Sequence, residues 1–537
     1  MERLRQFKIR IQIMAGVSAE KLLAALKEAS RGEAYRIGRS NSNAHGKRPG
    51  RSRTDALEWI ELALHTDDLP GLEGLKKACI DGVNSVNSVD IPYTDSSYSN
   101  SQNTCPANTN THHVKVYSIN EHLSEYLGRS MTNCHNRLTL SGLSTSLSSA
   151  DSDPLISRNR KILRRFVVQV FHLKATYMAE LGAGGIHRPL SLHRPEEEDG
   201  HRPLLERRLE KVAVRALYAL LLEVGEVTIR AGEDGRYIVE QVSAMPDYRG
   251  EERAGSTARA IWSTLEEIGR QEAAAKERQL LLGMDPEFLL FNRATGKVIP
   301  ASRFLARSGE AGCDSLRYRG ERRFPLAELR PRPAGDPRKV LVQLLHAFRL
   351  AERSIEDKAL LWQAGGMPQR GFPLGGHIHF SGIPLTFQLL QALDNYLALP
   401  VAALEDRRSL GRRPRYGCLG DFRLQGHGGF EYRTLPSFLI SPLVTKGVVA
   451  IAALIADHAE RLHRRPLQDD AMYAAFYQGD QKQLREALPG LHDDLKQLAA
   501  YAQYESYIAP FMEAAGSGRT WDETTDIRRL WKLENHS

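Results

Sequence analysis

Residues 371–382 read GFPLGGHIHFSG, a short apolar run in which His377 and His379 stand on alternate positions, with glycines before them and Phe380-Ser381-Gly382 after. In an extended strand, residues i and i+2 project from one face. Both imidazoles then point one way, with Ile378 and Phe380 pointing the other. The alternation recurs three times nearby. Asp285 and Glu287 stand two apart in GMDPEFLLF (283–291), Glu328 and Arg330 in FPLAELRPRP (324–333), and Glu431 and Arg433 in GFEYRTLPSF (429–438). Each segment reads as a short strand carrying two charged or ligand-capable groups on one side.

One such pair decides little. A half-exposed strand explains HxH, and a salt bridge along or across strands explains ExR. Four pairs in one region, each bounded by Gly or Pro, gather Asp285, Glu287, Glu328 and Glu431 with two arginines and two histidines. Carboxylates concentrated this way repel one another unless cations sit among them. Mg²⁺ prefers oxygen ligands and bridges to phosphate oxygens, and arginines suit phosphate and carboxylate groups. The pattern predicts a magnesium–nucleotide site on the open face of an antiparallel sheet, with purely structural ion pairs as the alternative.

The chain has 537 residues, 42% of them hydrophobic and 26% charged, which fits a globular protein of two or more domains. No apolar run reads as long enough to span a bilayer. The opening MERLRQFKIRIQIMAG reads poorly as a signal peptide, since charges interrupt its apolar residues, and FKIRIQI fits a strand. Cys79, Cys105, Cys134, Cys313 and Cys418 contain no CxxC pair. That argues against a zinc ribbon or a disulfide scaffold and points to a reducing cytoplasm. The net charge of +8 is scattered in pairs such as Arg164-Arg165, Arg207-Arg208 and Arg412-Arg413. With no basic stripe interleaved with aromatics, no nucleic-acid partner is expected, and the excess serves acidic small molecules or solubility.

Along the chain, a Ser/Asn/Thr-rich tract at about 84–153 reads as loop or weak edge structure. A strand pair is expected in RRFVVQVFHLKATYMAEL (164–181). A helix in 204–225 is expected to end at Gly225, and a hairpin follows in 225–246, turning at Glu233-Asp234-Gly235. A charged helix at 251–280 without a strong apolar face reads as a connector between a domain at 1–250 and another at 281–537. Helices are expected at 337–356, 444–464 and 481–502.

As an ordered set, GMDPEF, AELRP, GGHIHF and GFEYRTLPSF preceded by GDFR resemble the phage-type carboxylate–amine ligases (amidoligases), distant relatives of glutamate–cysteine ligase and glutamine synthetase. The resemblance covers about 281–439. It implies an α+β fold with a curved antiparallel sheet of the glutamine synthetase type and packed helices. It also implies ATP and Mg²⁺ as cofactors, and amide formation between a carboxylate and an amine through an acyl phosphate. By the same resemblance, Asp285, Glu287, Glu328, His379 and Glu431 bind metal, while Arg330, His377 and Arg433 face nucleotide phosphate. Arg330, Arg433 and Glu431 are the catalytic candidates, and Asp421 and Arg423 of GDFR the substrate-side ones, a loop salt bridge being equally compatible there. A peptide, a polyamine or a cell-wall precursor would each fit as partner.

The first half is similar, more weakly, to the last helix and hairpin of ATP-grasp ligases. Where those carry an acidic-x-Asn magnesium motif this chain reads Glu240-Gln241-Val242-Ser243, and the stretch 141–153 lacks the glycine density of their phosphate-covering loop. The resemblance therefore implies a degenerate ATP-grasp-like domain with a binding or scaffold role. Two other readings stay open. A zinc hydrolase could use His377, His379 and carboxylates, although it leaves Arg330 and Arg433 without a task. A retired enzyme could serve as a binding protein.

Overall fold

The structure, a computed structural model, describes residues 6–14, 21–22, 24–26, 35–41, 57–65, 115–147, 164–182, 187–190, 203–232, 235–248, 251–274, 280–318, 321–426 and 428–533. Strands β1 (Gln6–Met14), β2 (Tyr35–Asn41), β3 (Leu57–His65) and β4 (Lys115–Ile119) form a sheet in the order β2-β3-β1-β4. FKIRIQI lies in β1, as its alternation predicts. Much of the polar tract lies outside the described residues. Its later part, expected as loop, instead contains helix α1 (Met131–Leu140), which buries Cys134, Arg137 and Leu138.

A second sheet, in the order β5-β10-β9-β6-β7-β8, comprises β5 (Ser144–Thr145), β6 (Arg164–Phe171), β7 (Lys174–Leu181), β8 (His187–Pro189), β9 (Val224–Ala231) and β10 (Tyr237–Ser243). The expected strand pair is the β6–β7 hairpin, and the expected hairpin is β9–β10. Of its anticipated turn, Glu233 and Asp234 lie outside the described residues. The near-continuous apolar run in β6 is a strand covered on both faces. Phe166, Val168 and Val170 join the core with Leu209, Ala213 and Leu217 of helix α2 (Leu204–Ala219), whereas Val167 packs with Tyr177 and Ala179 on the other face.

Helix α2 ends earlier than expected. Leu221 takes a positive φ of 65°, which ends the helical path, and Gly225 lies inside β9. There a Cβ would lie 2.6 Å from Leu217 Cδ2 and 2.9 Å from the Ser243 carbonyl oxygen, so the glycine permits close helix–strand approach. Helix α3 (Glu251–Ala274) also departs from expectation, because Ala254, Thr257, Ala258, Ile261 and Trp262 are buried and make an apolar face at helical spacing. Small residues and one threonine hide that face in the sequence.

The remaining strands are β11 (Leu281–Met284), β12 (Glu287–Asn292), β13 (Lys297–Ile299), β14 (Ala311–Tyr318), β15 (Glu321–Leu329), β16 (Leu361–Gln363), β17 (Ile378–Ser381), β18 (Phe422–Leu424) and β19 (Phe430–Tyr432). Two antiparallel ladders, β11-β17-β19-β18 and β13-β12-β15-β14, meet at Asp285-Pro286. The backbone amides of Asp285 and Glu287 donate to the carbonyls of His377 and Gly375, and that of Leu329 donates to Pro286. A single bent strand, 281–292, therefore joins both ladders into one curved antiparallel sheet.

Helix α4 (Pro337–Ser354), capped by the Asp336 side chain on the Arg338 amide, buries Val340, Leu344, Ala347, Phe348 and Ala351 behind this sheet. Phe288, Phe348 and Trp362 form a three-ring cluster, with Phe288 stacked on Trp362 at 4.7 Å, and Phe380 stacks on Phe430 at 5.0 Å. Strand alternation then turns Glu287, His379 and Glu431 to the opposite, open face.

Helix α5 (Pro442–His458) starts and ends earlier than the expected 444–464. With its extension to Arg461 it could cross a membrane by length and composition, yet 61% of its apolar window is buried inside the protein. Val448, Ile451 and Leu454 place it in the core, where it packs on helix α9. Before α9 come α6 (Asp470–Gln478), α7 (Gln481–Glu486) and α8 (Leu488–Lys496), with α9 itself spanning Tyr501–Gly516. The single helix expected at 481–502 is thus divided among α7, α8 and the start of α9. Pro489 lacks the N–H an uninterrupted helix would use and sits in the first turn of α8 instead.

Candidate active site

Strand register decides which side chains meet. Gly283 of β11 lies opposite His379 of β17, His379 opposite Glu431 of β19, and Glu431 opposite Arg423 of β18. On the other side of the bend Glu287 lies opposite Glu328, and Glu328 opposite Gly312. The ligand atoms of Asp285, His379 and Glu431 all fall within 4.8 Å of one another, as do those of Glu287, Asp314 and Glu328.

The bend at Asp285 points its carboxylate at both histidines, with Oδ1 3.1 Å from His377 Nδ1 and Oδ2 3.1 Å from His379 Nε2. His377 Nδ1 is also 3.1 Å from Glu431 Oε1. Around Glu431 stand Arg433, Arg423 at 3.2 Å and Gln425, whose Nε2 donates to Oε2 at 3.1 Å. Arg330 pairs with Glu328. Gly375 donates its amide to Glu287 Oε2 at 2.6 Å. A Cβ on Gly375 would overlap the His377 ring, and one on Gly312 would overlap the Arg330 guanidinium. Both glycines keep space that the charged side chains occupy.

The sequence-predicted residues Asp285, Glu287, Glu328, Arg330, His377, His379, Arg423, Glu431 and Arg433 share this face. Asp421 stands apart from it. Its carbonyl accepts the Arg433 amide at 2.9 Å, while its carboxylate lies 3.7 Å from Lys211 of α2. Asp314 is a group that the pairwise search missed, because its i−2 neighbour on β14 is Gly312 and not a second ligand. Arg412 is another. It is buried, and its guanidinium donates to the carbonyls of Arg433, Thr434 and Leu435, fixing the exit from β19. Arg413 pairs with Glu405 at 2.5 Å, both buried. These two arginines are therefore internal struts, contrary to the expectation that they add surface charge. Glu240, expected from the sequence to stand in the ATP-grasp-like hairpin, pairs with Arg165 at 2.8 Å and with Arg230 at 3.8 Å.

Charge in the cluster is unevenly held. Burial pushes Glu287 up to about 7, against the Gly375 amide. Burial, then repulsion from Asp285, pushes Glu328 up to about 9 despite Arg330. For Asp285, burial is outweighed by the hydrogen bonds and charges of His377 and His379, which hold it well below the usual carboxylate range. His379 is raised, since its bond to Asp285 overcomes burial. Glu328 Oε2 is held only by its ion pair with Arg330, and His379 Nε2 by its ion pair with Asp285. Oxygen-rich donors and acids lifted by burial and by mutual repulsion fit hard divalent cations.

A buried network behind the site ties the first half to it. Asp394 accepts from Tyr218 of α2 at 2.6 Å and from Tyr432 of β19 at 2.7 Å. Farther off, Arg137 of α1 pairs with Asp470 of α6 at 3.0 Å.

Residues 282–533, just under half of the chain, match the family model described as phage phiEco32-like COOH.NH2 ligase, type 2. The resemblance read from the motifs is borne out over this span. The family is one of carboxylate–amine ligases, enzymes that form a C–N bond. No curated protein matches the sequence. Similar solved structures include the ATP-grasp ligase PsnB with precursor peptide PsnA2 and AMPPNP, at 19% identity over 20% of this chain and 33% of that one, with a TM-score of 0.16. A bifunctional glutathione synthetase from Pasteurella multocida is 14% identical over 50% of this chain and 51% of that one, with a TM-score of 0.28. Plasmodium falciparum glutamine synthetase is 10% identical over 60% of this chain and 77% of that one, with a TM-score of 0.24. The chain thus spans a third to a half of the length of the two ATP-grasp structures, and at these scores no residue correspondence follows.

Proposed function

We propose that the chain is an ATP- and Mg²⁺-dependent carboxylate–amine ligase whose chemistry resides in 281–537, with 1–250 as a binding or scaffold part and 251–280 between them. The observation that carries this reading is the pair of ligand clusters, Asp285/His379/Glu431 and Glu287/Asp314/Glu328, on one face of the curved sheet beside Arg330 and Arg433. Asp285, Glu287, Glu328, His379 and Glu431, joined by Asp314, would hold magnesium, which supplies charge neutralisation for the nucleotide phosphates.

ATP is a substrate here. Its γ-phosphoryl group passes to the substrate carboxylate, so an O–P bond forms while the bond to ADP breaks. Attack by the amine on the acyl carbon then forms the C–N bond, expels phosphate and releases a proton. Arg330 and Arg433 are positioned to stabilise charge on the transferring group, and His377 binds and orients phosphate, in a reaction where positioning and electrostatics do most of the catalysis. Arg412 is a positioning residue for Arg433. Arg423, at the exposed edge, faces the substrate side, whereas Asp421 supports the loop beside Lys211.

The test is ADP and phosphate release by the purified chain with ATP and Mg²⁺ over pools of amino acids, amines and small peptides, with Glu431→Gln as control. Release that requires an added carboxylate and amine, and falls at least a hundredfold in the variant, supports the ligase. Absence of nucleotide binding by calorimetry sinks it.

A further inference from the structure

A cavity of about 520 Å³ opens between the outer face of α4 and residues 531–533. Since α4 packs behind the curved sheet with Phe348 turned inward, this cavity stands apart from the ligand cluster. Its walls are held by buried contacts. Arg528 of helix α10 (Ile527–Leu530) pairs with Asp526 at 2.6 Å and donates Nη2 to the Leu360 carbonyl at 2.7 Å. The same Nη2 reaches the Lys358 carbonyl at 3.4 Å, which ties the segment after α4 to α10. Trp531 donates Nε1 to the Leu439 carbonyl at 2.8 Å, and its ring packs on Phe348 at 4.7 Å.

Four cations line this space, Arg349, Arg353, Lys358 and Lys532, against one carboxylate, that of Glu352. All four are exposed, so their charged ends are open to a ligand. Among the described residues, the side chains of Arg349, Arg353 and Lys532 have no ion-pair or hydrogen-bond partner. Lys358 Nζ donates to the Glu352 carbonyl at 3.3 Å. Arg349 and Arg353 stand four apart on one helix face, where like charges repel. The C-terminal end of α4 accounts for Arg353 in its last turn. It does not account for Lys532, which comes from another segment.

Lys532 also stands against its backbone. It closes α10 at a positive φ of 53°, its amide donating to the Arg529 carbonyl at 3.3 Å and the next amide to Arg528 at 3.1 Å. A helix end of this kind favours glycine. Lysine there brings a charge to the cavity that glycine would not.

We infer that this cavity binds a small multivalent anion bearing phosphate or carboxylate groups, beside the Trp531 ring. Guanidinium and ammonium groups donate hydrogen bonds and accept none, so the lining selects an anion over a cation. The arginine forks suit phosphate and carboxylate oxygens, and the volume is that of a small-molecule site.

The experiment is calorimetry on the full chain without nucleotide or Mg²⁺, titrating tripolyphosphate and, separately, citrate. At least one is expected to bind saturably, the tighter of the two marking a phosphate or a carboxylate ligand. Arg353→Glu should weaken it at least tenfold. Arg188→Glu makes the same charge change at an exposed position of β8 in the second sheet and should alter it less than twofold. Lys532→Gly suits the positive φ, so the Tm without anion should hold or rise while affinity falls at least threefold. That pairing separates lost binding from lost folding. No saturable binding of either anion, equal effects of Arg188→Glu and Arg353→Glu, or unchanged affinity in both Arg353→Glu and Lys532→Gly would overturn the inference. An anion seated at the ligand cluster would give the last of these results, so this site and the ligase reading fail separately.

Discussion

Adding a divalent cation to the free protein should expel protons. Glu287, lifted to about 7, is half protonated at pH 7, and Glu328, lifted to about 9, is almost fully protonated. Cation ligation needs both deprotonated, so about 1.5 protons leave per site at pH 7, falling to about 0.8 at pH 8.5 where Glu287 has already ionised. The raised His379, paired with Asp285, adds up to about one more if it titrates on ligation. The sign follows directly: the cation-free form holds the protons, so affinity rises with pH through this window. Calorimetric titration of Mn²⁺ or Mg²⁺ in HEPES and in Tris reads the number released as the slope of observed heat against buffer ionisation heat. A cation that binds with no buffer dependence at pH 7 would refute the reasoning, because these carboxylates would then be either ionised beforehand or not ligands.

Asp314→Asn should weaken cation binding by about tenfold or more, measured in the same titration, with the chain still folded. Arg412→Lys keeps the charge but loses the fork that holds three carbonyls. It should destabilise by roughly 2–4 kcal/mol in denaturant titration and, in the ADP-release assay, lower kcat more than KM. Burial raises Asp394 to about 6 from an ordinary 3.8. The folded state therefore binds more protons than the unfolded one between about pH 4 and 6, and stability from this group is lost as pH rises through that window. Relative to Asp394→Asn, the loss should reach about 3 kcal/mol above pH 6, and a pH-independent difference between the two proteins would exclude it.

The parts of the site legible in the sequence were those where two ligand-type residues alternate on one strand, since period-two spacing survives in any strand register. Asp314 is invisible to that search because its same-face neighbour is glycine, and Arg412 because its partners are backbone carbonyls, which leave no mark in a sequence. The bend at Asp285-Pro286 reads as one strand, and only pairing shows that it joins two ladders. In the fold, β6 and β7 were legible from β-branched runs. The apolar face of α3 was not, because Ala254 and Ala258 carry almost no hydrophobic signal. His172-Leu173 was equally opaque, as no turn residue marks a hairpin that its surroundings enforce.

The carboxylate of Asp394 grips one tyrosine from each half, and Tyr432 is the chain neighbour of both Glu431 and Arg433. This joint works beside the Arg137–Asp470 and Lys211–Asp421 pairs, and it reaches the strand that bears Glu431. Tyr218→Phe removes one of the two donors on Asp394 and is expected to loosen the seat of that strand while every ligand residue stays in the sequence, which the cation titration would read as weaker binding.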